Sequence, residues 1–427
     1  MIIYNLFPPL AGKMGLWEKH MARAAGMGFN WVFVNPIQYP GFSGSLYSIK
    51  DYFTINPLFL DKDSGKTQEE QVREVAGQAE KLGMKMMIDL VINHCAVDSD
   101  LLKKNPEWFL WEGPGKPAHP FCDENGKKVV WGDLAKFDHK SAKAKEGLFN
   151  LFMKILKFLI GLGFKGFRCD AAYQLPGSLW ERLIRETKAG NPDILFFAET
   201  LGCSADQTRK TAKAGFDYIF NSCKWWDFHS PWLMENYNLT REIAPSVGFP
   251  ESHDTQRLGE ELNGNINGLK QRYLFSAMFS AGVMMPLGFE FGFRKRTHVV
   301  KSRPEDWEET GLDLTTFIRS ANRVKEEHPV FQEDAPTQVL HHGNPNVLLL
   351  WKASVHTTEE ALVILNKDIH NKQGFYAGNL YDFVQGREPL VDVSPEPTLD
   401  YIPTPFSYEL QPGQGIVLVT RRKGIFE

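Results

Sequence analysis

Four short segments, each an apolar run closing on polar residues, carry the side chains most able to do chemistry in this sequence. They are DLVINH with Asp89 and His94, GFRCD with Arg168 and Asp170, FFAET with Glu199, and ESHD with His253 and Asp254. A carboxylate at the end of one strand ordinarily caps the next helix or pairs with an arginine, and each residue taken alone has that reading. Seven such residues on four successive strand ends point instead to a shared reaction. Cleavage of a glycosidic bond with retention needs one carboxylate to attack the anomeric carbon. It also needs a second, protonated carboxyl about 5 to 5.5 Å away to release the leaving oxygen. Asp170 and Glu199, on neighbouring strands, fit that spacing. Arg168 lies two residues before Asp170 and so on the same face of its strand, where its charge keeps Asp170 ionised. The apolar run Ile194 to Ala198 before Glu199 raises that carboxyl's pKa and keeps it protonated.

Catalytic groups at the C-terminal ends of successive strands belong to a parallel barrel. The sequence predicts one. Short β-branched or aromatic runs (IIYNLF, WVFVNP, KMMIDLVI, GFRCD, ILFFAET, DYIFNS, SVGFPES, VMMPLGFE) alternate with amphipathic segments such as TQEEQVREVAGQAEKLG and LFNLFMKILKFLIGLG. Eight such pairs give an α/β fold, a (β/α)8 TIM barrel. The stretch Cys95 to Asp138 breaks the spacing. It is rich in Pro, Gly, Trp and Asp and shows no helical period, and a connection of that length is usually functional. After a helix expected from Asp313 to His328, TQVLHH, NVLLLWKA, EALVILNKD and FSYELQPGQGIVLVT read as short strands of an antiparallel β domain. The expected division is residues 1–94 and 139–331 for the barrel, 95–138 for an insertion after strand 3, and 332–427 for the C-terminal domain.

The 427 residues leave chain over after one barrel of about 250. With 43% hydrophobic and 23% charged residues and no run of eighteen apolar residues, a large soluble core is expected and a membrane span is not. Forty-eight basic against 52 acidic residues give a net charge of −4, with no like-charge block suited to a phosphate backbone, so nucleic acid is not an expected partner. MIIYNLFPPL reads as a first strand, without the basic and apolar regions of a leader. Cys95, Cys122, Cys169, Cys203 and Cys223 are odd in number and scattered, which fits reduced thiols in the cytoplasm better than disulfides or a zinc site. Oligomeric state is not legible.

The ordered set DLVINH, GFRCD, FFAET and FPESHD resembles the four sequence regions of the α-amylase superfamily of glycoside hydrolases, and the resemblance covers nearly the whole chain. SLYSIKDYFTINP looks like the loop after strand 2 that carries an aromatic sugar platform, and PLGFEFG looks like the eighth-strand signature. The insertion corresponds to the family's domain B and the tail to its β-sandwich domain C. The resemblance implies Asp170 as nucleophile, Glu199 as general acid/base, and Asp254 as the third carboxylate, which binds and distorts the sugar. It implies that His94 and His253 bind hydroxyls of the same glucose and that Arg168 orients Asp170. Asp89 would hold Arg168, and Tyr47 would stack under the sugar at the cleavage point, although Tyr47 alone reads equally as a packing tyrosine.

Two departures from the family pattern stand out. DAAYQ follows the nucleophile where many endo-acting members have Lys-His, so Tyr173 and Gln174 replace groups that help bind sugar and a structural calcium. Asn93 matches one calcium ligand, but a single oxygen does not make the six to eight that calcium takes, and no cofactor or metal ligand set is assigned. Ser252 stands where Asn usually precedes His-Asp. Three functions share this fold. The first is a retaining hydrolase of α-1,4-linked gluco-oligosaccharides. The second is a transglycosylase or maltosyltransferase with a sugar or sugar-phosphate donor, which NPEWFLWEGPGKPAHP and SLWERLIRETKAGNPDILFFAET resemble. In that case Lys127 and Lys128 would hold the phosphate, unless they form a plain solvated turn. The third is a non-catalytic sugar binder, which a complete carboxylate set argues against. Trp108, Trp111, Trp131, Trp225 and Trp226 are candidate sugar platforms, the last two equally candidates for packing.

Overall fold

The computed structural model describes residues 1–124, 127–397 and 399–423. Eight parallel strands close into a barrel: β1 (Ile2–Leu6), β2 (Trp31–Val34), β3 (Lys85–Leu90), β4 (Gly166–Cys169), β5 (Leu195–Glu199), β6 (Tyr218–Phe220), β7 (Ser246–Gly248) and β8 (Gly282–Pro286). Each falls on one of the runs singled out in the sequence. The interior is filled by side chains such as Ile3, Trp31, Phe33, Met87, Phe197, Phe220, Val247 and Met284, so the barrel is a packed core and not a pore.

A helix follows every strand: α1 (Trp17–Gly26), α2 (Gln68–Lys81), α3 (Lys145–Gly161), α4 (Gly177–Gly190), α5 (Ala205–Ala212), α6 (Trp232–Thr240), α7 (Ile266–Phe279) and α8 (Thr315–Glu327). In α3, Leu148, Phe149, Phe152, Ile155, Leu156 and Leu159 recur every three to four residues and are all buried. Thr67 caps α2 and Ser204 caps α5 in reciprocal boxes with Glu70 and Gln207. Gly163, past the end of α3, has φ +108° and a Cβ there would stand 2.6 Å from that of Ala76, so only glycine fits the return to β4.

The stretch after β3 is less irregular than its sequence suggested. It holds a five-residue helix (Asp100–Lys104) and short two-stranded pairs, one of which joins His94–Ala96 to Leu134–Lys136. These pieces are too short to leave a periodic signal. Trp108 packs against α3, where a Cβ on Gly147 would meet its indole at 2.5 Å.

Beyond α8 the chain becomes antiparallel. β9 (Thr337–Val339), β10 (Val347–Ala353) and β11 (Glu359–Asn366) form a five-stranded sheet with two later segments, Gly415–Arg421 and Val391–Asp392. A pair formed by Gln373–Ala377 and Phe406–Leu410 closes a second core around Leu349, Ile364, Phe375 and Leu418. One buried lysine, Lys352, ties this region to the barrel, and a second, Lys325, lies within the barrel itself. Lys325 on α8 donates to the carbonyls of Ala277, Ser280 and Phe331, and Lys352 on β10 donates to that of Phe279 at 2.7 Å. They satisfy carbonyls that the end of α7 leaves without partners. Burial lowers the pKa of both, that of Lys352 to about 8.

Candidate active site

Strand register assembles the site. Arg168 on β4 lies opposite Asp89 on β3 and Phe197 on β5, and one step further Asp170 and Glu199 leave the barrel side by side. Arg168 is buried, and its guanidinium faces three carboxylates: Nη1 is 2.7 Å from Asp89 Oδ1 and 3.0 Å from Asp170 Oδ1, and Nη2 is 3.7 Å from Asp254 Oδ2. Arg168 is thus engaged by protein carboxylates, among them Asp170, which the resemblance implied it would orient. Its charge offsets part of the cost of burying Asp89, whose pKa desolvation nevertheless raises.

Glu199 accepts backbone N–H bonds from Leu201 (2.7 Å, Oε1) and Ala171 (3.1 Å, Oε2). Ala171, directly after Asp170, has φ +45° and ψ +42°, an uncommon conformation for a residue with a Cβ. That turn aims its N–H at Glu199, so local strain links the two neighbouring carboxyls. Burial lifts the Glu199 pKa to about 7, Asp170 and Asp254 push the same way, and Arg168 opposes them. The pKa elevation expected from the preceding apolar run is present. Asp254 has the opposite character. Desolvation acts to raise its pKa, but His253, Arg168 and Arg296 outweigh it and hold this half-exposed carboxyl below the usual range.

Tyr47 and His253 share one network. The Tyr47 hydroxyl donates to Asp89 Oδ2 at 2.7 Å, accepts from Asn35 Nδ2 at 3.0 Å, and lies 2.7 Å from His253 Nε2. The rings are nearly parallel, at 6° with centroids 5.8 Å apart. His253 Nε2 is also 3.1 Å from Asp254 Oδ2. With the single hydroxyl proton on Asp89, Nε2 carries the hydrogen and donates. His94 Nε2 lies 3.2 Å from the Tyr47 carbonyl oxygen, while the buried Nδ1 atoms of both histidines have no partner among the described residues. Burial lowers the His94 pKa.

All eight residues named from sequence therefore converge at one end of the barrel. A small recess lies among Phe33, Arg168, Glu199, Phe249, His253 and Asp254. Sequence reasoning missed Asn35, which is fully buried and whose amide is fixed by Asn5 at 2.9 Å. It ends β2 in WVFVNP, the same strand-end position that exposed the other residues. Leu201 and Ala171 act through backbone N–H groups, which leave no mark in a sequence. Trp226 packs among Phe228, Phe275 and Phe279, while Trp225 is exposed. Lys128 lies over the Phe121 ring at 4.2 Å, and the side chain of Lys127 is outside the described residues.

The calcium implied by the family finds little here. Asn93 Oδ1 is buried without a partner, but its Nδ2 donates to Gln174 Oε1 at 3.0 Å. Among the described residues no three acidic, histidine or cysteine side chains gather around a cation position. One free oxygen does not fit a calcium shell.

Residues 1–110 match the model of the glucanotransferase domain of glycogen debranching enzyme. The α-1,4-glucan:maltose-1-phosphate maltosyltransferase of Burkholderia pseudomallei is 23% identical over 382 residues, covering 84% of this chain and 32% of that protein. The enzyme of that name from Mycobacterium tuberculosis is 25% identical over 415 residues, covering 85% of this chain and 56% of its own. In sequence the chain is similar to these glucan-active enzymes. The α-amylase of Geobacillus thermoleovorans has the same fold, with a TM-score of 0.79 over 99% of this chain and 98% of that one at 15% identity. The chain spans about a third to a half of the two maltosyltransferases. Among the described residues, no helix is long and apolar enough to cross a membrane.

Proposed function

We propose that the protein cleaves an α-glucosidic bond with retention through a covalent glycosyl-Asp170 intermediate. The observation that carries this is the asymmetry of two adjacent carboxyls: Asp170 is paired to Arg168, and Glu199 is held near a pKa of 7. Asp170 attacks the anomeric carbon while Glu199 gives its proton to the departing oxygen. Glu199 then takes a proton from the incoming hydroxyl, whose oxygen displaces Asp170. Asp254, ionised and half-exposed, would bind sugar hydroxyls, with His253 and His94 beside it.

Hydrolysis of α-1,4-linked gluco-oligosaccharides and transfer to a glucan acceptor differ only in whether water or a sugar resolves the intermediate. The sequence relatives, both named for maltosyl transfer, and the glucanotransferase match favour transfer. Hydrolysis remains the second reading, supported by the open carboxylate edge of Asp254, which water reaches. Incubation with maltoheptaose alone, then with maltose 1-phosphate and an acceptor, separates the two. Longer products or released phosphate mark transfer, and only shorter sugars mark hydrolysis. We assign residues 1–94 and 139–331 to the catalytic barrel, 95–138 to domain B and 332–427 to domain C. Free Cys95, Cys169, Cys203 and Cys223, three of them buried, support a reducing, cytoplasmic setting.

A further inference from the structure

The loop after β8 reads RKRTHVVKSR from Arg294 to Arg303, five cations in ten residues with no carboxylate among them. Three of the five are engaged within their own surroundings. Lys295 pairs with Asp306 at 2.7 Å, Arg294 turns toward Asn263, and Arg303 folds onto the carbonyls of Val300 and Ser302. Arg296 and Lys301 are exposed, and among the described residues neither has a carboxylate partner.

Arg296 is placed by the site itself. Its Nη2 donates to the backbone carbonyl of Asp254 at 2.8 Å, and the buried Thr297 next to it donates to the carbonyl of His253 at 2.9 Å. Two bonds thus staple this loop to the segment that carries the third carboxylate. On its other side the loop reaches the Tyr47 loop, where a Cβ at Gly44 would stand 3.7 Å from Val300 Cγ1. The loop spans one lip of the cleft, and the Arg296 charge is felt at the Asp254 carboxylate.

A neutral sugar does not need this cation. Asp170 and Asp254 already have Arg168 between them, and a guanidinium held by one Nη keeps further N–H groups in a rigid fork, the geometry that matches phosphate oxygens. An anionic substrate approaching two ionised carboxylates does need a compensating charge at the entrance. We propose that Arg296 is an anion-recognition site at the cleft lip that takes the phosphate monoester of a phosphorylated gluco-oligosaccharide. The site rests on the reading of the cleft as an α-glucan site. The phosphate has two possible positions. On the anomeric carbon it is the leaving group: the C1–O bond breaks, Glu199 protonates the bridging oxygen, and hydrogen phosphate departs as Asp170 bonds to C1. On another sugar hydroxyl it stays on the sugar and only anchors it.

The test uses the full chain with Arg296→Gln, which keeps a donor for the Asp254 carbonyl but no charge, and Arg296→Lys, which keeps charge without the fork. kcat/KM is compared for maltose 1-phosphate, maltotriose carrying a 6-phosphate, and neutral maltosyl fluoride. Losing a charge-assisted hydrogen bond should lower the phosphorylated substrate about 10- to 100-fold more than the fluoride in Arg296→Gln, with partial recovery in Arg296→Lys. Which of the two phosphorylated sugars shows that loss identifies the phosphate position. An equal fall for neutral and phosphorylated substrates overturns the inference and leaves the glucan reading intact. Inorganic phosphate binding, measured by calorimetry, separates the converse case. If no glucan is turned over yet Arg296→Gln weakens phosphate binding about tenfold, the anion site stands and the glucan reading falls. Equal phosphate binding in wild type and variant overturns the site.

Discussion

The hydroxyl of Tyr47 lies 2.7 Å from His253 Nε2 while donating to Asp89, so a residue expected as a sugar platform also holds a histidine of the site in one protonation pattern. Tyr47→Phe keeps the ring and removes the hydroxyl. It leaves Asp89 short of a donor and His253 Nε2 with Asp254 alone, and kcat/KM on maltoheptaose should fall about 10- to 100-fold, the worth of hydrogen bonds to charged groups. If Tyr47→Phe matches wild type and only Tyr47→Ala is impaired, the stacking face is all that matters.

Asp170→Asn and Glu199→Gln should each cost about three orders of magnitude or more in turnover, since the reaction needs both a charged nucleophile and a proton donor. Azide distinguishes their roles. It should rescue Asp170→Ala with formation of an inverted glycosyl azide and Glu199→Ala with a retained one. The reverse pattern would mean that the two assignments are exchanged.

With Glu199 protonated up to a pKa of about 7, kcat/KM should decline above neutral pH. Glu199→Gln assayed on a glycosyl fluoride, whose leaving group needs no proton, should lose that alkaline limb. Stability follows the same group. Its folded pKa lies above the unfolded value, so the stabilisation is complete at low pH and is lost as pH rises from about 4.5 to about 7. A rise of that size corresponds to about 3 kcal/mol. The melting temperature of Glu199→Gln should therefore gain on wild type across that window and hold its lead above it. A constant difference from pH 4 to pH 8 would show that Glu199 titrates normally.

Activity and melting temperature should survive exhaustive EDTA treatment, because Asn93 offers one free oxygen and Gln174 already engages its amide. A fall of many degrees reversed by calcium would show that oxygens elsewhere complete a site.

Much of this protein was legible in its sequence because the barrel is a local code. Each strand is a short apolar run, each helix carries its own period, and polar residues at strand ends are conspicuous because little else on a barrel strand is polar. DLVINH, GFRCD, FFAET and ESHD therefore gave both the order of these strands and the candidate carboxyls that meet at one end of the barrel. What the sequence could not supply are relations between side chains and backbone atoms far apart along the chain. The left-handed turn at Ala171, which aims an N–H at Glu199, follows from closing the barrel. So does the approach of the third carboxylate, Asp254, to the Arg168 guanidinium. Asn35 gained its role only when β1 brought Asn5 against it, and Arg296 only when the loop after β8 was fastened to the carbonyls of His253 and Asp254. Residue type and spacing determined which groups could react, whereas direction, charge balance and the placement of each proton depend on three-dimensional neighbours and were decided by the tertiary structure.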